Sequence, residues 1–295
     1  MTLDQLRIFV AVAERQHVTR AAEALHLVPS AVSAAVAALE GRHAVRLFHR
    51  VGRGIELTEA GRLFLAEARA VLARAAAAEG VLADLSGLRR GTLDIRASQT
   101  IAGHWLPRHL VAFRAAYPDI VLRLAIGNTA EAAEAVRAGT AELGFVEGPV
   151  EDASLASRPV AQDRLVLVVP PGHPLALGPA PGPAALAAAA WVLREPGSGT
   201  RSAFEAALTE AGLAPDALAV SLELPSNEAV LAAVAAGAGA SVLSQAVVAG
   251  PLAAGTLVAV PFALPARTFR VLRHKERYRS RAAEALLALI AEADQ

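Results

Sequence analysis

The sequence has no cysteine, which excludes disulfides, thiolate metal sites and thiol nucleophiles. Lysine occurs once, as Lys275, so arginine carries nearly all the positive charge. Neither sign of charge dominates, because 28 basic residues balance 28 acidic ones. A globally basic nucleic-acid binder is not indicated, and any positive surface must be local. Long apolar runs are also missing. Asp4, Arg7 and Glu14 interrupt the N-terminal apolar stretch, which does not fit a signal peptide. The most apolar later run, residues 229–243, contains Gly237 and Gly239 and is too short to span a bilayer. The expectation is a soluble, cytoplasmic protein with no membrane partner.

Enzyme signatures are missing too. There is no HExxH, no GxSxG and no Walker loop. Gly237-Ala238-Gly239 lies at a helix-to-strand turn, whereas a dinucleotide fingerprint needs a strand-to-helix turn. The histidines are scattered, and the spacing of His104 and His109 does not put them on one helical face. No enzymatic activity, metal or other cofactor is expected.

What is present is ample apolar material: 54% of 295 residues. That length suggests two or three folded units. The informative stretch runs from His17 to Arg53. Val18, Ala21, Ala22 and Leu25 give one helical face. Residues 26–28 break the pattern, and Pro29 suits the first position of a new helix. Val32, Val36 and Leu39 repeat with a helical period. Two short helices with small residues at their junction make a helix-turn-helix. Ser30, Ser33 and small alanines face outward on the second helix, where a major groove would lie. Arg42, His43, Arg46, His49, Arg50 and Arg53 follow with no acidic residue among them, as a phosphate-gripping loop requires. On pattern alone, a generic three-helix domain with a basic solvated face stays open.

Around this stretch, Leu3, Leu6, Val10 and Ala13 form the stripe of a first helix. Residues 47–57 read as a wing hairpin with Gly52 and Gly54 at its tip. Thr58 suits an N-cap, with Glu59 in the first turn. A long helix then runs to about residue 88. Phe64, Ala68, Val71, Ala75, Ala78, Leu82 and Leu85 alternate spacings of four and three, a 3.5-residue repeat that predicts a dimer seam. Arg89-Arg90-Gly91 marks a boundary. Beyond it, strands and helices alternate in a mainly parallel α/β pattern, with residues 170–183 as a Pro/Gly-rich surface excursion.

Ligands of open α/β sheets bind beyond the carboxyl ends of strands, near helix N-termini. Ser98, Gln99 and Thr100 follow the first such strand, and Asn128 and Thr129 follow the second. Ser198, Thr200 and Arg201 open a later helix. Helix capping is the plainer reading for the hydroxyl positions. Arg201 is harder to explain, since the helix dipole repels a cation there; a local anion would resolve it. Glu147 also leaves a strand toward the same region.

Taken together, these residues resemble the LysR-type transcriptional regulators. The pieces LRIFVAVAE (6–14), TRAAEALHL (19–27), SAVSAAVAALE (30–40), VRLFHR (45–50) and LTEAG (57–61) stand in the family's order and spacing, and the resemblance continues over the whole chain. Val28 and Pro29 replace the usual Ser/Thr-Gln, and Ala34 and Ala35 replace the usual Arg-Gln. The recognition helix therefore has few groups for bidentate base contacts, and reading would rest more on DNA shape, thymine methyls and the wing. The resemblance implies a winged helix-turn-helix at 1–58, a linker and dimerisation helix at 59–90, and a two-lobed, periplasmic-binding-protein-like α/β effector domain at 91–295. Lobe I would hold about 91–161 and 267–295, and lobe II about 162–266. It implies that Thr19, Arg20, Pro29, Ser30, Ser33, Ala34, Arg50 and Arg53 meet double-stranded DNA. It implies that Ser98, Gln99, Thr100, Asn128, Thr129, Glu147, Ser198, Thr200 and Arg201 line an inter-lobe effector site. A homodimer assembling into a homotetramer is the implied form.

The segments 193–201 and 145–149 are similar to a narrower subgroup that includes regulators of sulfite assimilation and relatives of carbon-fixation regulators. The implied effector is a small anion, sulfite or another sulfur oxyanion. Glu147 points instead to an amine-bearing metabolite, unless it pairs with an arginine in the empty cleft or meets a protonated ligand. A cytoplasmic ligand-binding protein without a regulatory role is the remaining rival.

Overall fold

The computed structural model describes residues 1–52, 54–85 and 91–293. Its residues form two compact units, one ending with the long helix and one beginning at Gly91.

In the first unit, helix α1 (Leu3–Arg15) opens with a Thr2/Gln5 capping box, which satisfies two free amides reciprocally. Helices α2 (Val18–Leu25) and α3 (Pro29–His43) follow, with a 108° change of direction across their short break. Pro29 stands in the first turn of α3, where its missing amide costs nothing. Strands β1 (Phe48–Val51) and β2 (Gly54–Leu57) pair antiparallel as the wing. Helix α4 (Glu59–Leu85) is capped by Thr58, whose Oγ1 accepts from the Gly61 amide at 3.0 Å. Gly61 has no room for a side chain, because a Cβ there would sit 2.1 Å from the Leu47 carbonyl oxygen.

The core of this unit joins Leu6, Phe9, Leu39, Leu47 and Leu57 to Ala68 of α4. Phe9 stacks on Phe48 at 5.4 Å and on Phe64 at 4.9 Å between ring centroids. Each such fully buried side chain contributes about 1.5–3 kcal/mol. This corrects the reading of the long helix. Phe64 and Ala68 belong to the winged core, so the first part of the repeat serves its own unit. Further along, Val71 and Leu82 stand exposed. Arg53 and the boundary at residues 89–90 lie outside the described residues.

The second unit has two lobes with separate cores, one five-stranded sheet in lobe I and a three-stranded and a two-stranded sheet in lobe II. Strands β3 (Gly91–Ser98), β4 (Ile120–Gly127), β5 (Leu143–Glu147) and β6 (Leu155–Asp163) belong to lobe I, with helices α5 (Leu106–Ala116) and α6 (Thr129–Ala138). Lobe II holds β7 (Leu165–Val169), α7 (Pro183–Ala188), β8 (Ala190–Arg194), α8 (Gly199–Glu210), β9 (Ala219–Leu224), α9 (Asn227–Ala235), β10 (Ser241–Ser244), α10 (Gln245–Ala253) and β11 (Val258–Val260). The chain returns to lobe I with β12 (Arg267–His274) and α11 (Arg281–Ala293).

The lobe I sheet has the order β4-β3-β5-β12-β6. Its first three strands are parallel, while β12 runs antiparallel to both neighbours because it enters from the far lobe. In lobe II, β7 pairs antiparallel with β10 and β11, while β8 and β9 run parallel. The parallel expectation therefore holds for half of the sheet contacts at most. A π-helical turn over Ile101–Trp105 leads directly into α5. Among the described residues, no single helix is long and apolar enough to cross a membrane.

Candidate functional site

On the first unit, Thr19, Arg20, Pro29, Ser30, Ser33, Ala34 and Arg50 are all exposed. They lie on α2, on α3 and on the wing strand β1. No carboxylate among the described residues pairs with Arg20, Arg42 or Arg50, so these guanidinium groups are available to phosphates. Arg46 is different. Its Nη1 meets the Glu40 carboxylate at 3.1 Å. Glu40 is buried and also accepts from the amides of Leu47 at 2.7 Å and Phe48 at 3.1 Å. It pegs the start of the wing to α3, a role its place in the sequence does not reveal. His49 lies 3.7 Å from Glu56 across the hairpin. The stretch that reads as wholly basic thus has two acids folded against it.

In the second unit, the cleft residues fall into three behaviours. Asn128 caps: its Oδ1 accepts from the Glu131 amide at 2.9 Å, and Glu131 accepts from the Asn128 amide at 3.1 Å. It also reaches the facing lobe, donating to Glu195 at 3.3 Å. Thr100 and Ser198 do not cap the helices they precede, although both are buried. That leaves the plainer reading without support at those two positions. Arg201 has its anion within the chain, since Glu205 takes its Nε at 2.7 Å and Glu223 its Nη1 at 2.5 Å. The Glu205 bond is the main reason its proton is held more tightly than usual.

The centre of the arrangement is Arg267, which sequence reasoning missed. It opens β12 where the chain re-enters lobe I, and its side chain is 4% exposed. Nε donates to Asp163 at 2.6 Å, and Nη1 donates to Thr200 Oγ1 at 2.9 Å. Nη2 lies 3.5 Å from Thr100 Oγ1, and Nη1 lies 3.3 Å from Glu147 Oε2. One guanidinium therefore touches a hydroxyl from each lobe and two buried acids. Breaking such a pair by removing one partner costs about 3–5 kcal/mol. Glu147 does pair with an arginine, then, but its Oε1 stays buried with no partner, as does the Ser98 hydroxyl. Buried polar atoms of this kind are rare and call for an explanation.

Further bonds close the lobes on each other. Gln99 donates to the Pro225 carbonyl at 2.7 Å and accepts from the Asn227 amide at 2.8 Å. Asn227 Nδ2 donates to Thr100 at 3.2 Å. Gly199 lets the two lobes approach, because a Cβ there would lie 2.7 Å from the Glu147 carbonyl oxygen. Thr129 Oγ1 accepts from the Glu147 amide at 3.4 Å. Beside it, Arg194 is buried and holds both oxygens of Glu195 at 2.8 and 2.9 Å. Burial pushes the Glu195 carboxyl up, but the Arg194 bonds and charge outweigh it and hold the group below its ordinary value. A cavity of about 460 Å³ opens beside Glu147 and Arg267, walled by α8. Asn227 was open to sequence reasoning, since it too follows a strand into a helix. Arg267, Asp163 and Arg194 carried no local signal.

A winged helix-turn-helix and a separate two-lobed α/β unit with a polar, buried lobe junction define a DNA-binding regulator with a small-molecule-binding domain. Residues 3–62 match the bacterial regulatory helix-turn-helix protein, lysR family, and residues 86–295 match the LysR substrate binding domain. The chain belongs to the LysR family of transcriptional regulators. It is 37% identical over 284 residues to the uncharacterized HTH-type transcriptional regulator YeiE of Escherichia coli (strain K12), covering 96% of this chain and 94% of that one. It is 36% identical over 244 residues to the RuBisCO operon transcriptional regulator of Allochromatium vinosum, covering 83% and 80%. That likeness agrees with the carbon-fixation side of the expected subgroup. The fold of CbnR, a LysR family transcriptional regulator, superposes with a TM-score of 0.72 at 23% identity over 100% of both chains. The regulatory domain of Synechocystis PCC6803 CcmR, in complex with 2-PG, superposes with a TM-score of 0.62 at 30% identity, covering 69% of this chain and 97% of that one. The family and these relatives are regulators of transcription, not enzymes.

Proposed function

We propose that this LysR-type regulator responds to a small oxyanion that carries a hydrogen, with sulfite in its protonated form as the first candidate. The observation that supports it is the lobe junction around Arg267. Two carboxylates face one guanidinium there, and Glu147 Oε1 has no donor. A bare anion would be repelled by that excess. An oxyanion with a hydrogen can give it to Glu147 Oε1 while its other oxygens take Arg267 and the hydroxyls of Ser98, Thr100 and Thr200. Gln99, Asn128, Thr129 and Ser198 shape and latch the junction, and Arg201 fixes the start of α8. The likeness to the CcmR domain, whose partner 2-PG is a small phosphate-containing ligand, supports an anionic effector. On the DNA side, Thr19, Arg20, Pro29, Ser30, Ser33, Ala34, Arg50 and Arg53 form the contact face in this reading. Arginines grip phosphates, and the small residues of α3 approach the bases.

The charge excess at Glu147 favours one other reading, an amine-bearing metabolite that pairs with that carboxylate directly. Calorimetric titration of the full chain separates the two. Sulfite heat that vanishes in Thr100→Val and Thr200→Val, with both variants melting like wild type, supports the oxyanion. Binding of an amine such as lysine that needs Glu147, with no heat from sulfite, hydrogen phosphate or 2-PG, replaces it.

A further inference from the structure

A second cavity lies at the other end of the lobe I sheet. Strand β5 runs from Leu143, which lines this cavity, to Glu147 at the lobe junction. At 3.3 Å per residue the two ends are about 13 Å apart. The cavity measures about 280 Å³, with Leu143, Val271 and Leu287 as an apolar floor and Arg158, Arg273 and Arg279 around it. The β6–β12 register explains the arginines. Arg158 pairs with Val271, and Arg273 pairs with Ala156. Residues two apart on a strand share a face, so Arg158 and Arg273 project on the same side, as diagonal neighbours of like charge.

No carboxylate relieves that repulsion on the strands themselves. The Arg158 side chain has no hydrogen bond or ion pair among the described residues. Arg273 reaches the carbonyl of His274 at 3.5 Å and no acid. Arg279 shares Glu284 at a loose 3.7 Å. Guanidinium groups left facing one another over a hollow apolar floor are an arrangement that an anion would complete.

We propose that this cavity is a second ligand site, for a small carboxylate with an apolar body. The carboxylate bridges Arg158 and Arg273 through bidentate bonds, the geometry the guanidinium fork favours. The apolar body covers Leu143, Val271 and Leu287, gaining the burial that inorganic anions cannot. The volume is at the low end for small-molecule sites, so the ligand is a short-chain or single-ring acid. Arg158 and Arg279 are exposed to solvent, which keeps the affinity modest. Strand β12 carries Arg267 at one end and Arg273 at the other. A ligand here would therefore touch the strand that also holds the junction arginine, yet its binding does not depend on the effector reading above.

Saturation-transfer NMR on the full chain, with hexanoate and its neutral analogue 1-hexanol as probes, tests the site. Hexanoate is expected to bind at millimolar concentration and 1-hexanol about tenfold more weakly, the factor that one lost charge-assisted bond gives. Arg158→Gln should weaken hexanoate by a similar factor. Ala156→Phe should abolish its binding by filling the cavity while leaving every arginine in place. Glu147→Gln should leave hexanoate untouched, which separates this site from the lobe junction. No hexanoate signal, equal binding of acid and alcohol, or binding that survives both Arg158→Gln and Ala156→Phe would overturn the proposal.

Discussion

Glu40 is an acid at the C-terminal end of a helix, where the dipole disfavours it. It persists because two wing amides and Arg46 satisfy it in a half-closed, low-dielectric setting. Glu40→Gln keeps the shape but puts an N–H where an acceptor is needed. It should destabilise the winged unit by about 1–3 kcal/mol, seen as a lower urea midpoint, and loosen the wing so that DNA binding weakens for all sequences. Arg50→Ala leaves the fold intact. It should weaken DNA binding uniformly and reduce the salt slope by about 1, because one phosphate contact is lost. An unchanged slope would remove Arg50 from the DNA face. At this scale the sequence is readable only where chemistry is local. Thr58, Pro29 and Asn128 are recognised because their partners lie within a few residues. Arg267 finds Glu147 and Asp163 from more than a hundred residues away, and nothing in its flanking sequence points there.

Among the elements, α4 carries two jobs on one apolar repeat. Its first part packs Phe64 and Ala68 on the winged core, while Val71 and Leu82 remain exposed. The repeat gave the helix and its length, but a period cannot say which neighbour covers each turn. The division yields a test. Val71→Glu with Leu82→Glu should leave the secondary structure intact and convert a dimer into a monomer by light scattering. Ala68→Glu should instead unfold the winged unit, since an unpaired buried charge costs several kcal/mol. Wild-type protein that is already monomeric at micromolar concentration would exclude this use of α4. The β8–α8 connection supplies a pH test. The Glu195 carboxyl is held below its ordinary value of 4.5, burial notwithstanding, by Arg194 and Asn128. Its contribution is therefore complete above pH 4.5 and is lost as the pH falls through the lowered value. Glu195→Gln should flatten the acid limb of the effector domain's stability in that window, measured by denaturant midpoints at successive pH values.

For the whole molecule, a helix-turn-helix part followed by an α/β part was legible from periodicity, while the division of the α/β part into two lobes came from the resemblance to the LysR family. The antiparallel strand β12 was not, because strand direction is set by where the chain crosses between lobes. The functional demand is that the lobe junction and the DNA face be coupled. By linkage, an effector that changes the affinity for DNA must have its own affinity changed by the same factor. Couplings of this kind are typically about 5–150-fold. Gln99, Thr100, Asn128 and Arg267 bond across the junction, so in the proposed reading an effector entering there would rearrange those bonds and supply such a shift. The decisive measurement is fluorescence anisotropy of labelled DNA from upstream of the neighbouring gene, titrated with the full chain at fixed ionic strength, with and without millimolar sulfite. Sulfite is expected to change the DNA affinity of the wild type at least fivefold and that of Thr100→Val and Thr200→Val hardly at all. Equal DNA affinity with and without sulfite, hydrogen phosphate or 2-PG would contradict an oxyanion-controlled regulator.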